Sequence, residues 1–164
     1  MNKKRNISIF VGLVIIISRF FFFDGTPDYF DATQYLWRTN LGTLLDALST
    51  GHAPYHPGYL FFSYYFQQIF RIFQIDNLQI AATLPAVIFG CLALWYFYLL
   101  TLRLTKNYLA TAIATLCATF APYFWLGSIS ILIDPVMWGG YLMGLYFWLR
   151  FLETKKIGFS FWAG

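Results

Sequence analysis

Charge is what this chain lacks most. Only 11% of its 164 residues are charged, whereas 59% are hydrophobic and 23% aromatic. That balance departs far from the averages of soluble domains and makes an integral membrane protein the first expectation. Cysteine is almost absent as well. Cys91 and Cys117 both fall inside apolar runs, which excludes a disulfide framework or a cysteine metal cluster and leaves packing as their role. Also missing are a glycine-rich phosphate loop, a paired zinc-ligand motif, a nucleophile elbow, an internal repeat and a recognisable soluble domain. Lys3, Lys4 and Arg5 precede an apolar stretch, but no small-residue cleavage site comes before Asp24 and Arg19 interrupts the run. The first segment therefore reads as a retained helix rather than a secretion signal.

What is present is a series of apolar runs of membrane-crossing length. They predict an all-α polytopic membrane protein with spans over about 7–23, 79–103, 108–127 and 135–152, and a further one starting at 158. Between the first two spans lies a polar loop, 24–78. Its first part, 24–59, carries four of the seven acidic residues (Asp24, Asp28, Asp31, Asp46) and both histidines, His52 and His56. Two juxtamembrane helices are expected in it, over about 31–48 and 57–75. The second has too short an uncharged stretch, 57–70, to cross a bilayer.

The distribution of cations supports that reading through the positive-inside rule. With 57–75 uncrossed, Lys3, Lys4, Arg5, Arg103, Lys106, Arg150, Lys155 and Lys156 collect on the cytoplasmic side. Only Arg19, Arg38 and Arg71 are left outside. The N-terminus is then cytoplasmic and the loop lies on the outer (periplasmic, extracellular or lumenal) face, with a bacterial plasma membrane as the expected setting. Asp134, at the mouth of the 135–152 span, falls on the same face as the loop, and Glu153 is the sole inner acid.

Several loop residues have spacings suited to chemistry. Asp31, Tyr35 and Arg38 follow i, i+4, i+7 and share a helix face. They read either as a base with a phosphate-binding cation, or as a helix cap (Asp28 or Asp31) with a surface ion pair at Arg38. His56-Pro57-Gly58-Tyr59 reads as a turn into a helix with Pro57 at the first position. This places His56 near free N–H groups that attract anions. Asp134 reads both as an acid made costly by its apolar surroundings and as the N-cap before Pro135.

Taken in order, these motifs resemble the GT-C class of integral-membrane glycosyltransferases, which includes protein O-mannosyltransferases and lipid A aminoarabinose transferases. The resemblance rests on one N-terminal span followed by Asp31-Ala-Thr-Gln-Tyr35, then His56-Pro57-Gly58-Tyr59, Leu84-Pro85-Ala86-Val87-Ile88-Phe89-Gly90, Ile133-Asp134-Pro135 and Leu149-Arg150. It covers nearly the whole chain but about the first third of a typical member, so an N-terminal fragment, inactive alone, is expected. The resemblance implies a GT-C-type transmembrane helix bundle and inverting transfer of a hexose or pentose from a polyprenyl-phosphate donor. The partners implied are that lipid-linked sugar, membrane lipid and a lipid, glycan or protein acceptor, without nucleic acid. Asp31 matches the loop base, with Asp28 as its rival. Asp134 and His56 match positions lining the donor or phosphate site, beside Tyr35. Where many members carry an arginine before Leu-Pro, this chain has Thr83, so phosphate contact is expected to pass to Arg71, to Arg38 or to residues beyond this fragment. No metal ligands are assigned, and a divalent cofactor stays undecided. The alternative reading is part of a transporter or flippase-like protein whose outer acids bind a cation or substrate. A third is a non-catalytic membrane assembly subunit.

Overall fold

The computed structural model describes residues 3–23, 30–40, 42–49, 56–75 and 77–161; the side chains of Lys3, Phe30, Asp31 and Phe161 are outside the description. Among the described residues all regular structure is helical. The order is α1 (Lys3–Phe20), α2 (Phe30–Thr39), α3 (Leu44–Ser49), α4 (Pro57–Ile72), α5 (Leu78–Thr105), α6 (Tyr108–Phe120), α7 (Pro122–Ile129), α8 (Asp134–Thr154) and α9 (Ile157–Phe161).

Helix α5 is the organising element. Its 28 residues extend about 42 Å. It starts at Asn77, whose side chain accepts from the Ile80 N–H, and ends at Lys106 in the left-handed conformation, φ 53°. Lys155 ends α8 in the same way, φ 56°. A cation at these positions suits the partial negative charge of the helix C-terminus.

Side-chain pairings give the directions of the long helices. Ser8 meets the Tyr98 hydroxyl at 2.7 Å and the Cys91 thiol donates to the Ile15 carbonyl, so α1 and α5 are antiparallel. Lys4 lies over the Tyr108 ring and Arg19 reaches the Thr119 carbonyl, so α1 and α6 are parallel. Gly139 abuts Phe89, Tyr96 packs on Tyr146, and Arg103 pairs with Glu153. Helices α5 and α8 therefore run side by side in the same direction. Because α1 and α5 oppose each other, the stretch between them leaves and re-enters the bundle at one end. Lys4, Arg5, Arg103, Lys106, Arg150, Lys155 and Lys156 all sit at the other end.

Large apolar residues such as Ile15, Leu60, Leu94 and Tyr98 fill the contacts between helices, α6 contributes small and hydroxylated ones, and many further large apolar residues turn outward. In α6, Thr111, Thr115 and Thr119 are buried at i, i+4, i+8, while Leu109, Ile113 and Phe120 are exposed. The Thr115 and Thr119 hydroxyls donate to the carbonyls of Thr111 and Thr115, at 2.9 and 2.8 Å, so their polarity is satisfied within the helix. In α1 the outward positions are Ile9, Phe10, Leu13, Ile16, Ile17 and Phe20, and in α8 they include Met137, Tyr141, Leu145 and Trp148. By length and composition α5 is able to cross a membrane, and α6 with α7 count as a second candidate if that bent pair is one segment.

Two expected helices are divided. The run predicted over 31–48 is two helices, because Thr43 and Asp46 form a capping box that starts α3 afresh. The Asp46 carboxylate accepts from the Thr43 N–H and hydroxyl, and the Thr43 hydroxyl accepts from the Asp46 N–H. The 108–127 segment bends by 61° between α6 and α7, where Pro122 cannot continue the hydrogen-bond ladder.

Candidate functional site

The first part of the site is a cluster at the end of the bundle opposite the cations. Pro57 opens α4 at the first helical position, and His56 stands at its N-cap without a side-chain cap hydrogen bond. Residues 59, 60, 63 and 67 then form the buried face of α4. The Tyr59 hydroxyl donates to the Ala82 carbonyl at 2.8 Å, and Gln67 reaches the Leu78 carbonyl, so α4 lies antiparallel on the first turns of α5. Burial pushes the Tyr59 phenol well above its ordinary range, with the nearby Tyr35 adding to the shift. It remains a protonated donor at any physiological pH.

Helix α2 is tied to this layer from above. Gln67 donates to the Thr39 hydroxyl at 2.8 Å, and Thr39 donates to the Tyr35 carbonyl. Tyr35 is buried, with its ring 5.1 Å from that of Tyr59 and 6.2 Å from that of His56. Ile131, Ile133 and Val136, leading into and opening α8, pack against the same cluster. Tyr35, His56, Tyr59 and the start of α8 thus converge, although they are distant in sequence.

Asp31 falls in the first turn of α2, one turn before Tyr35 and on the same helix face. Because α2 begins at Phe30, Asp31 is inside the helix rather than at its cap. Asp28, with Asp24 and His52, lies outside the described residues. Asp134 is not the N-cap of α8: that position is Ile133, and Asp134 sits in the first turn without a capping hydrogen bond. It lines a recess of about 260 Å³ with Tyr123, Leu126, Gly127 and Leu132, on the α7 side of α8.

The two arginines expected to hold phosphate part company. Arg38 is 2% exposed, which removes the surface ion pair as its explanation. Arg71 is exposed in the last turn of α4, beside Gln74, Ile75 and Leu78. It is fifteen residues from His56, or about 22 Å along the helix, and so outside the cluster.

Sequence reasoning missed Arg19. It is 0% exposed, donates to the Thr119 carbonyl at 2.8 Å and the Ser18 hydroxyl at 3.0 Å, and stacks 5.0 Å from the Trp125 ring. The α6–α7 break leaves the Thr119 carbonyl without a ladder partner, and the guanidinium supplies one. A cation within an apolar run was the available signal, since such a group needs partners. Arg19→Met should orphan that carbonyl and cost about 1–3 kcal/mol, measured as a lower thermal midpoint. Arg19→Lys should restore little, because an ammonium cannot reproduce both forked contacts and the stacking.

Among the described residues, no three His, Cys, Asp or Glu side chains come together as a metal-binding group. No family model, curated protein or solved structure matches the chain.

Proposed function

We propose that this chain belongs to a polytopic membrane glycosyltransferase of the GT-C class. It would transfer a sugar from a polyprenyl-phosphate donor to an acceptor at the outer membrane face. The observation that carries this reading is the polarity of the bundle. Asp31, Tyr35, His56 and Asp134 gather at one end, seven cations gather at the other, and large apolar side chains face outward between them. Such a belt is what a bilayer would cover. The cationic end then faces the cytoplasm, and the site meets lipid-linked substrates at the opposite surface.

In the proposed reaction, the acceptor hydroxyl attacks the anomeric carbon as the bond to the phosphate oxygen breaks, and polyprenyl phosphate leaves. Asp31 takes the hydroxyl proton. The opening turn of α4 offers backbone N–H groups to the phosphate. A Cβ on Gly58 would meet nothing within 4 Å, which leaves that approach open. Tyr35 and His56 flank it.

Cysteine labelling tests the membrane reading. With Cys91 and Cys117 replaced by alanine, a cysteine at exposed Gln74 should react with an impermeant maleimide from the outer side. One at exposed Lys106 should react only after the membrane is opened. Equal reactivity from one side would overturn the reading. Purified full-length protein should also release polyprenyl phosphate from a lipid-linked sugar when an acceptor is present. The 61° break between α6 and α7 favours the transporter alternative, since transport sites are built on broken helices. Substrate movement across vesicles without sugar transfer would select it.

A further inference from the structure

The recess between α7 and α8 contains an acid whose presence the packing does not explain. Asp134 is half-buried, and its carboxylate makes no hydrogen bond or ion pair with any described residue. Around it are the Leu126 and Leu132 side chains, Gly127 and the Tyr123 ring. Tyr123 is 67% exposed at the mouth, and its ring lies 5.2 Å from that of Trp138, one helical turn beyond Asp134. Gly127 lines it as well, and a Cβ there would press on the Trp138 ring at 3.3 Å.

An unpaired carboxylate beside an apolar recess favours a cationic guest by charge complementarity. A hard metal ion fits poorly. Magnesium or calcium requires about six oxygen ligands, and this recess provides one carboxylate and one phenol. An organic ammonium matches the lining better: its charge meets the carboxylate and its carbon substituents meet aromatic and aliphatic walls.

We propose that the α7–α8 recess binds an ammonium-bearing ligand, with Asp134 as the counter-charge and Tyr123 as the aromatic wall. The ammonium comes either from a lipid headgroup such as phosphatidylethanolamine or from a soluble amine. The membrane reading bears on which source supplies it. The site itself rests on neither that reading nor the sugar chemistry.

The test is titration of the purified full-length protein with ethanolamine, followed by intrinsic fluorescence at constant ionic strength. Ethylene glycol serves as the uncharged control. Wild type should give a saturable change with ethanolamine alone. Asp134→Asn should weaken it roughly tenfold, the effect of losing a charge-assisted hydrogen bond, and Asp134→Glu should recover part of it. If Asp134→Asn fails to fold, Tyr123→Leu carries the same expected direction. Repeating the titration in phosphatidylglycerol nanodiscs with and without phosphatidylethanolamine identifies the source. A response abolished by phosphatidylethanolamine assigns the recess to the headgroup, and an unchanged response assigns it to a soluble amine. An equal response to ethylene glycol, or equal affinity in Asp134→Asn and wild type, overturns the proposal. Recovery of the protein in the soluble fraction would refute the membrane reading while leaving this titration interpretable.

Discussion

Asp31→Asn should lower sugar transfer by the full-length protein by roughly 10²–10⁴-fold, the contribution of a general base. The expected loss lies in kcat, because asparagine retains the shape of the side chain and only proton acceptance is removed. Stability should change little. The structure places Asp31 inside the first turn of α2 and not at the cap, where a carboxylate's interaction with the helix dipole contributes about 0.3–1 kcal/mol. That separation makes the experiment decisive between chemistry and structure. Asp28→Asn should leave most transfer intact. If Asp28 and Asp31 exchange these outcomes, the base assignment moves to Asp28. If neither exchange lowers transfer in a folded protein, the loop is not where the proton goes.

Gly139→Ala should destabilise the protein by about 1–3 kcal/mol, in the range of core overpacking, whereas Gly140→Ala should be neutral or stabilising. The contrast between adjacent glycines follows from the α5–α8 contact. A Cβ at Gly139 would lie 2.7 Å from the Phe89 carbonyl oxygen and 3.1 Å from the Phe89 Cβ. Neither atom can move without shifting the α5 backbone. At Gly140 a Cβ meets nothing within 4 Å, and alanine gains up to about 1 kcal/mol of helix propensity over glycine. Thermal unfolding in detergent, read by circular dichroism, distinguishes the two. Equal midpoints for both variants would show that α5 and α8 do not approach as closely as described.

Much of this architecture was legible from local rules. Pro57 marked the start of α4, and the break at Lys106-Asn107 separated α5 from α6 where a left-handed cap and an asparagine N-cap meet. The division of the 31–48 segment was also written in the chain, as Gly42 followed by Thr43-x-x-Asp46. The leucine spacing on either side suggested one continuous helix instead, because periodicity does not register a one-residue restart. The same capping box gives Asp46 a structural role that its position in an acidic loop had obscured.

Other features depend on tertiary placement and could not be read locally. Pro122 announces a break, but the direction taken by α7 depends on Trp125 meeting Arg19 and on Ser128 meeting Gly90. The convergence of Tyr35, His56 and Tyr59 depends on Gln67 bridging α2 and α5, and a glutamine in an apolar stretch does not name its partners. The resemblance offers Arg71 as a phosphate contact, and the sequence gives its charge. It does not give the length of helix separating it from His56.

The glycine contact between α5 and α8 has a mechanical consequence. Backbone meets side chain there with no slack, Tyr96 fills the middle against Tyr146 and Phe147, and Arg103 fastens the far end to Glu153. A pair held at three levels along its length can neither slide nor splay without breaking a contact. Relative motion of the helices is therefore easier elsewhere, in α2 and α4 resting on the first turns of α5 or at the Ala121 joint where Arg19 holds the end of α6. The parallel pair is the chassis, and the layer of α2 and α4 is the part free to work against it.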